Sequence, residues 1–206
     1  MRSFDDECLA QRTTMQVGGP ARRLIEVDSE EEALRLFRAL REPFYLLGGG
    51  SNVVIADERL QQLVVVLALR GVERRRLDGM VEVYAAAGEP WDPLVAQAVA
   101  DGLTGIECLS GIPGLVGATP IQNVGAYGQQ VADCIGRVRL YDLRDRRVVE
   151  LPAERCGFGY RESIFKRSAR GRYIVLGVAY RLRSAPALAP PRGGRDRSEV
   201  RRWGGS

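Results

Sequence analysis

The stretch Gly111-Ile112-Pro113-Gly114-Leu115-Val116-Gly117-Ala118-Thr119-Pro120-Ile121-Gln122-Asn123-Val124-Gly125-Ala126-Tyr127-Gly128 repeats a small residue every three or four positions and has little helical or strand periodicity. Backbone this bare of side chains admits two readings. A flat ligand can approach it closely, with the Gln122 and Asn123 amides offered to ring heteroatoms, or the glycines simply allow a tightly packed turn. Upstream lies a second glycine-rich segment, Leu47-Gly48-Gly49-Gly50-Ser51-Asn52. Three consecutive glycines let successive N–H groups converge, and the Ser51 hydroxyl and Asn52 amide add donors, a combination suited to a pyrophosphate. The alternative is a turn between strands that needs positive φ. Neither G-x-G-x-x-G nor G-x-x-x-x-G-K-[ST] occurs, and no helix follows the loop directly, so the two common nucleotide-binding designs are excluded and any dinucleotide would be held in another way.

Working outward from these loops, Arg23–Val27 reads as a short strand, and Ser29 and Glu32 have capping-box spacing at a helix start. Ala33, Leu36, Phe37 and Leu40 share that helix's apolar face, and Arg41 with Pro43 closes it. Phe44–Leu47 is a strand, and Val53–Ala56 is expected to resume extended structure, so the glycines join two strands. Leu63–Leu67 completes a small α+β unit, and Gly71–Gly79, with Arg74-Arg75-Arg76, is expected to be a boundary or turn. A second unit begins at Met80. Val81, Val83 and Ala85 alternate as a strand, Trp91–Ala100 is a helix capped by Asp101-Gly102, and a hairpin pairs Val138–Leu143 with Val148–Leu151 around Arg144-Asp145. Tyr173–Leu182 is the last strand. The division expected is 1–70, 71–183 and a Pro/Gly/Arg-rich tail, 184–206, of disorder-like composition.

Composition narrows the chemistry. At 206 residues, 45% of them hydrophobic, the chain can bury a real core. Its net charge of +4 comes from arginines scattered among acids, and the runs at 74–76 and 201–202 lack the aromatic interleaving of a nucleic-acid surface, so they read as solvated. Four cysteines without a C-x-x-C pair suggest neither zinc nor a disulfide framework. Histidine is absent, which removes Ser-His and Cys-His catalysis and leaves proton or hydride chemistry to other residues or a cofactor. The acidic N-terminus has no apolar signal region, and the longest apolar run, Leu63–Leu69, is too short to cross a bilayer, so a cytoplasmic protein is expected.

With Phe158-Gly159-Tyr160-Arg161-Glu162-Ser163-Ile164-Phe165-Lys166 and Thr14–Ala21, the two glycine segments resemble, in order and spacing, the UDP-N-acetylenolpyruvoylglucosamine reductases, over Thr13–Arg183. The resemblance implies an α+β fold of the vanillyl-alcohol-oxidase/PCMH type, in which two subdomains clasp an extended, non-covalent FAD. Gly49, Gly50, Ser51 and Asn52 would hold its pyrophosphate. Ile112, Pro113, Gly114, Gly117, Ala118, Thr119, Gln122, Asn123, Gly125 and Ala126 would line the rest. It further implies NADPH as hydride donor and UDP-N-acetylglucosamine enolpyruvate as substrate, a step of peptidoglycan precursor synthesis. Arg161 matches the family's catalytic arginine, placed to stabilise enolate charge, and Tyr160 would shape the substrate pocket.

The family's third domain carries a proton-donating serine in a Gly-Ser-aromatic-Phe-Lys-Asn-Pro setting and a C-terminal catalytic glutamate. Neither has a counterpart here, and Glu162, Ser163 and Ser168 lie outside those motifs. The expectation for the chain as written is therefore weak FAD binding with negligible turnover, the change at Ser184 reading as a shifted or truncated frame or a natural tail. The alternatives are a non-catalytic flavin-binding fragment and another flavin oxidoreductase of the same fold, although Pro120–Asn123 and Tyr160-Arg161 favour the reductase.

Overall fold

A computed structural model describes residues 1–184, and the tail from Ala185 lies outside the described residues. The apolar run at 63–67 organises the first half. Leu63, Val64 and Val65 are all buried in β4 (Leu60–Leu67), as expected for a central strand covered on both faces. In chain order, β1 (Arg2–Cys8), β2 (Pro20–Val27), α1 (Glu30–Ala39) and β3 (Phe44–Leu47) precede it, and the sheet runs β1-β2-β4-β3. β2 and β3 both lie parallel to β4, whereas β1 is antiparallel to β2.

The second half is a larger sheet of antiparallel pairs. Its elements are β5 (Val72–Leu77), β6 (Met80–Ala86), α2 (Trp91–Ala100), β7 (Leu103–Thr104), the small ribbon β8 (Gly125–Ala126) and β9 (Gln129–Gln130), β10 (Ile135–Asp142), β11 (Arg147–Pro152) and β12 (Tyr173–Ser184). The order is β11-β10-β12-β6-β5, with β7 paired to the end of β12. Asp142 shapes the β10–β11 turn by accepting from the Arg144 and Asp145 amides, and the Arg172 guanidinium holds its carboxyl below the usual carboxylate range.

Three expectations are corrected. Gly71–Gly79 is not a simple boundary, because Val72–Leu77 forms edge strand β5, paired with β6 from Val72↔Ala85 to Leu77↔Met80. Its arginines face solvent, and charge on an edge discourages sheet-to-sheet association. Val53–Ala56 is not a strand: it runs irregularly, tied by the Gly19 amide to the Ala56 carbonyl at 2.8 Å, so the glycine loop does not join two strands. The opening segment, for which no element was expected, is β1. At α1 only half of the capping box forms. Ser29 Oγ accepts from the Glu32 amide, while the Glu32 carboxylate accepts from the N-terminal amine at 2.6 Å.

Helix α1 joins the two sheets. Phe37 stacks on Phe44 at 5.7 Å and on Tyr141 of β10 at 5.8 Å, in a cluster with Val27, Val65, Ala86, Ile174 and Leu176. The Tyr141 hydroxyl is fully buried there and has no hydrogen-bond partner among the described residues. An unpaired buried hydroxyl costs about 1–3 kcal/mol, so Tyr141→Phe is expected to leave stability unchanged or raise it by about 1 kcal/mol. Urea unfolding measures this, and a loss beyond about 1 kcal/mol would show that the hydroxyl has a partner.

Candidate functional site

The glycine loop leaves the C-terminal end of β3, next to the end of its parallel neighbour β4, and ligands of such sheets gather outside the carboxyl ends of parallel strands. The loop is cradled from below by the turn after β1. Gly50 has φ +64°, its carbonyl accepts from the Thr14 amide at 3.1 Å, and a Cβ there would lie 2.1 Å from the Arg12 carbonyl oxygen. Arg12 is itself fixed by Glu7 at 2.9 Å and Glu26 at 2.7 Å. Among the described residues, the amides of Gly49, Gly50, Ser51 and Asn52 donate no hydrogen bond. Consecutive free N–H groups at the mouth of a cleft form an anion-binding nest.

The opposite wall is the start of Gly111–Gly128. Asp92, in the first turn of α2, accepts from the Gly111 amide at 2.6 Å and the Ser110 hydroxyl at 3.0 Å, and these bonds hold its carboxyl below the usual range. Residues 114–117 then run beside 87–91, with Trp91 donating to Gly114 O at 3.0 Å and Gly117 to Ala87 O at 2.9 Å. The two glycine segments meet where a Cβ on Gly49 would stand 3.2 Å from Gly114 Cα. They are also latched by side chains: Ser51 Oγ donates to Pro113 O at 3.3 Å, and Asn52 Nδ2 to Gln122 Oε1 at 3.1 Å.

Between them lies a cleft of about 310 Å³. It continues past Leu46, Leu47 and Gly48 into an adjoining hollow of about 150 Å³. Walls that are mostly apolar, with a few convergent donors, suit an elongated ligand carrying one anionic group. Of the residues singled out from sequence, Gly49, Gly50, Ser51, Asn52, Ile112, Pro113, Gly114, Ala118, Thr119 and Gln122 line the cleft. Gly117 lines only the adjoining hollow, and its lack of a side chain answers to the turn that follows β6, because a Cβ would stand 2.8 Å from Ala87 Cβ. The Thr119 hydroxyl is occupied by Val116 O and the Tyr180 hydroxyl, both within 2.8 Å, and burial pushes that phenol up.

Asn123, Gly125, Ala126, Tyr160 and Arg161 gather elsewhere, around an open concavity of about 480 Å³ shared with the β8–β9 ribbon. Tyr160 and Arg161 occupy the tip of a tight turn closed by Gly159 N to Glu162 O at 3.1 Å and Glu162 N to Gly159 O at 3.2 Å, with Arg161 at φ +54°. Tyr160 is 89% exposed, and Tyr127, at the ribbon's tip, is 90% exposed.

Three contributors were not singled out from sequence. Trp91 and Lys166 line the cleft, and Tyr127 faces Arg161's concavity. Lys166 is the sequence's single lysine, and its ammonium donates to the Arg161 carbonyl at 3.0 Å, connecting the cleft to the arginine turn. That singularity was the available signal. Among the described residues, no helix is long and apolar enough to cross a membrane.

Known proteins resemble this chain over most of its length. A family profile described as FAD binding domain matches residues 21–151. The UDP-N-acetylenolpyruvoylglucosamine reductase of Salinispora arenicola is 47% identical over 193 residues, which are 91% of this chain and 53% of that relative. The chain thus spans about half the length of the curated relatives it matches. A crystal structure of UDP-N-acetylenolpyruvylglucosamine reductase from Thermus caldophilus superposes with a TM-score of 0.72 at 33% identity, covering 90% of this chain and 63% of that one. Alkyldihydroxyacetonephosphate synthase shares the fold at 19% identity and a TM-score of 0.55, over 84% of this chain and 33% of the other.

Proposed function

Because the chain belongs to the FAD binding domain family, with the vanillyl-alcohol-oxidase type of α+β fold, we propose that it carries the flavin site of an NADPH-dependent UDP-N-acetylenolpyruvoylglucosamine reductase. The observation that carries this reading is the row of free amides from Gly49 to Asn52 at the mouth of an apolar cleft. Residues 1–70 and 71–183 are the two halves that clasp the dinucleotide. In the cytoplasm of a cell building peptidoglycan, the substrate is the UDP-N-acetylglucosamine enolpyruvyl ether.

The residues present fit the cofactor. The Gly49–Asn52 amides and the Ser51 hydroxyl bind the pyrophosphate, Gly114 lets the backbone approach closely, and Ile112, Pro113 and Ala118 exclude water. When bound, FAD would supply hydride chemistry that no amino-acid side chain provides. Arg161, exposed beside Tyr127 and Tyr160, orients the enolpyruvyl carboxylate, and its fixed positive charge favours the negative charge that grows there.

The test is spectroscopic. Adding the UDP-sugar enolpyruvyl ether to the FAD-loaded chain is expected to shift the flavin's visible absorption, and Arg161→Gln is expected to weaken that response about tenfold with FAD content unchanged. No shift at saturating ligand would contradict the reductase reading and leave a flavin-binding module. A shift indifferent to Arg161→Gln would remove the arginine from the site.

A further inference from the structure

Asn123 stands within the segment assigned to the cofactor, yet its side chain points elsewhere. It is 2% exposed and sits at φ +45°. Both amide protons are used: Nδ2 donates to Gln130 Oε1 at 2.8 Å and to the Gly159 carbonyl at 2.9 Å. Its Oδ1 accepts from the Ala132 amide at 3.0 Å. The left-handed backbone favours Asn or Gly over other residues. Three bonds to two separate segments, 130–132 and the turn at Gly159, select Asn between those two.

The bond to Gly159 matters because Gly159 opens the turn that carries Tyr160 and Arg161. The far side of the turn is held in the same way. Ser163, also 2% exposed, donates its hydroxyl to the Ile121 carbonyl at 2.5 Å. The turn is therefore suspended from residues 121–123 at both ends, and Ile121 and Gln122 belong to the cleft wall. Any displacement of that wall relative to Arg161 must break a buried hydrogen bond.

We infer that Asn123 is a positioning residue for the Tyr160–Arg161 turn and not a ligand of the cofactor. This deepens the proposed function and rests on it: Asn123 sets where the guanidinium stands relative to the flavin cleft. Leaving the Gly159 carbonyl without its donor frees the turn to open locally, while the cradle at Gly49–Asn52, which shares no bond with Asn123, keeps its form.

Two substitutions keep the left-handed backbone and separate the roles. Asn123→Gly removes the amide, and Asn123→Asp retains an acceptor for Ala132 but cannot donate to Gly159. In both, hydrogen exchange at the Gly159 and Glu162 amides is expected to accelerate about tenfold, with FAD affinity within about twofold of the unaltered chain. The absorption response to the enolpyruvyl sugar should weaken as it does in Arg161→Gln, and Asn123→Gly combined with Arg161→Gln should weaken it no further, since one residue acts through the other. Ser163→Ala, which cuts the second suspension, should show the same pattern and serves if the Asn123 variants fail to fold.

A loss of FAD affinity beyond about tenfold, unchanged exchange at the turn, or additive effects in the double variant would overturn the inference. If the unaltered chain binds no FAD, the proposed function fails, and the exchange measurement alone decides whether Asn123 holds the turn.

Discussion

Gly50→Ala is expected to lower FAD affinity by about 100-fold or more and to cost about 1–3 kcal/mol of stability. Two effects act together. The position has φ +64°, and the new Cβ would lie 2.1 Å from Arg12 O and 2.6 Å from Thr13 Cα. Both are backbone atoms, and Arg12 is held by its ion pairs to Glu7 and Glu26, so the cradle cannot yield and the loop must. A loop moved by an ångström re-aims the Gly49–Asn52 amides. Gly48→Ala is the control, because a Cβ there meets nothing within 4 Å and its thermal stability should match the parent. Flavin fluorescence titration with thermal unfolding reads both quantities, and a Gly50→Ala chain that binds FAD like its parent would refute the cradle.

Trp91→Ala is expected to cost about 3–5 kcal/mol, a large share of the roughly 5–15 kcal/mol that holds a domain together. The ring is 1% exposed, packs 5.5 Å from Tyr180, and donates its indole N–H to Leu109 O at 3.0 Å. Truncation opens a cavity and strands a carbonyl where α2 meets the cleft wall. Trp91→Phe keeps most of the ring and should lose less than half as much. Urea unfolding measures both, and a loss under about 1 kcal/mol for the alanine variant would mean that this side of the cleft is not built on Trp91.

Elements whose burial alternates or runs continuously were legible in the sequence, because core contact imposes the pattern: Leu63–Leu67, Val81–Ala85, and Tyr173–Leu182 all form strands. The edges were not. Arg2–Cys8 and Val72–Leu77 bury few side chains, so no apolar period marks them, and they are strands through backbone pairing with β2 and β6. Val53–Ala56 errs the other way, being apolar enough for a strand but without a ladder partner. At the site, glycines betrayed both loops, since close approach and positive φ exclude larger residues. What sequence spacing could not show is that Gly111–Gly128 divides near residue 122, its first part lining the cleft and its last part turning into the β8–β9 ribbon beside Arg161. That division depends on where Asn123's hydrogen bonds go, a matter of three-dimensional pairing.

The most direct measurement is an amide NMR titration of the purified chain with FAD. The result expected is a saturable set of shifts centred on the Gly49, Gly50, Ser51 and Asn52 amides, with companions at 112–122 and little change at 159–162. Shifts absent at saturating FAD, or confined to residues outside the cleft, would contradict the assignment of this glycine cradle to the flavin pyrophosphate.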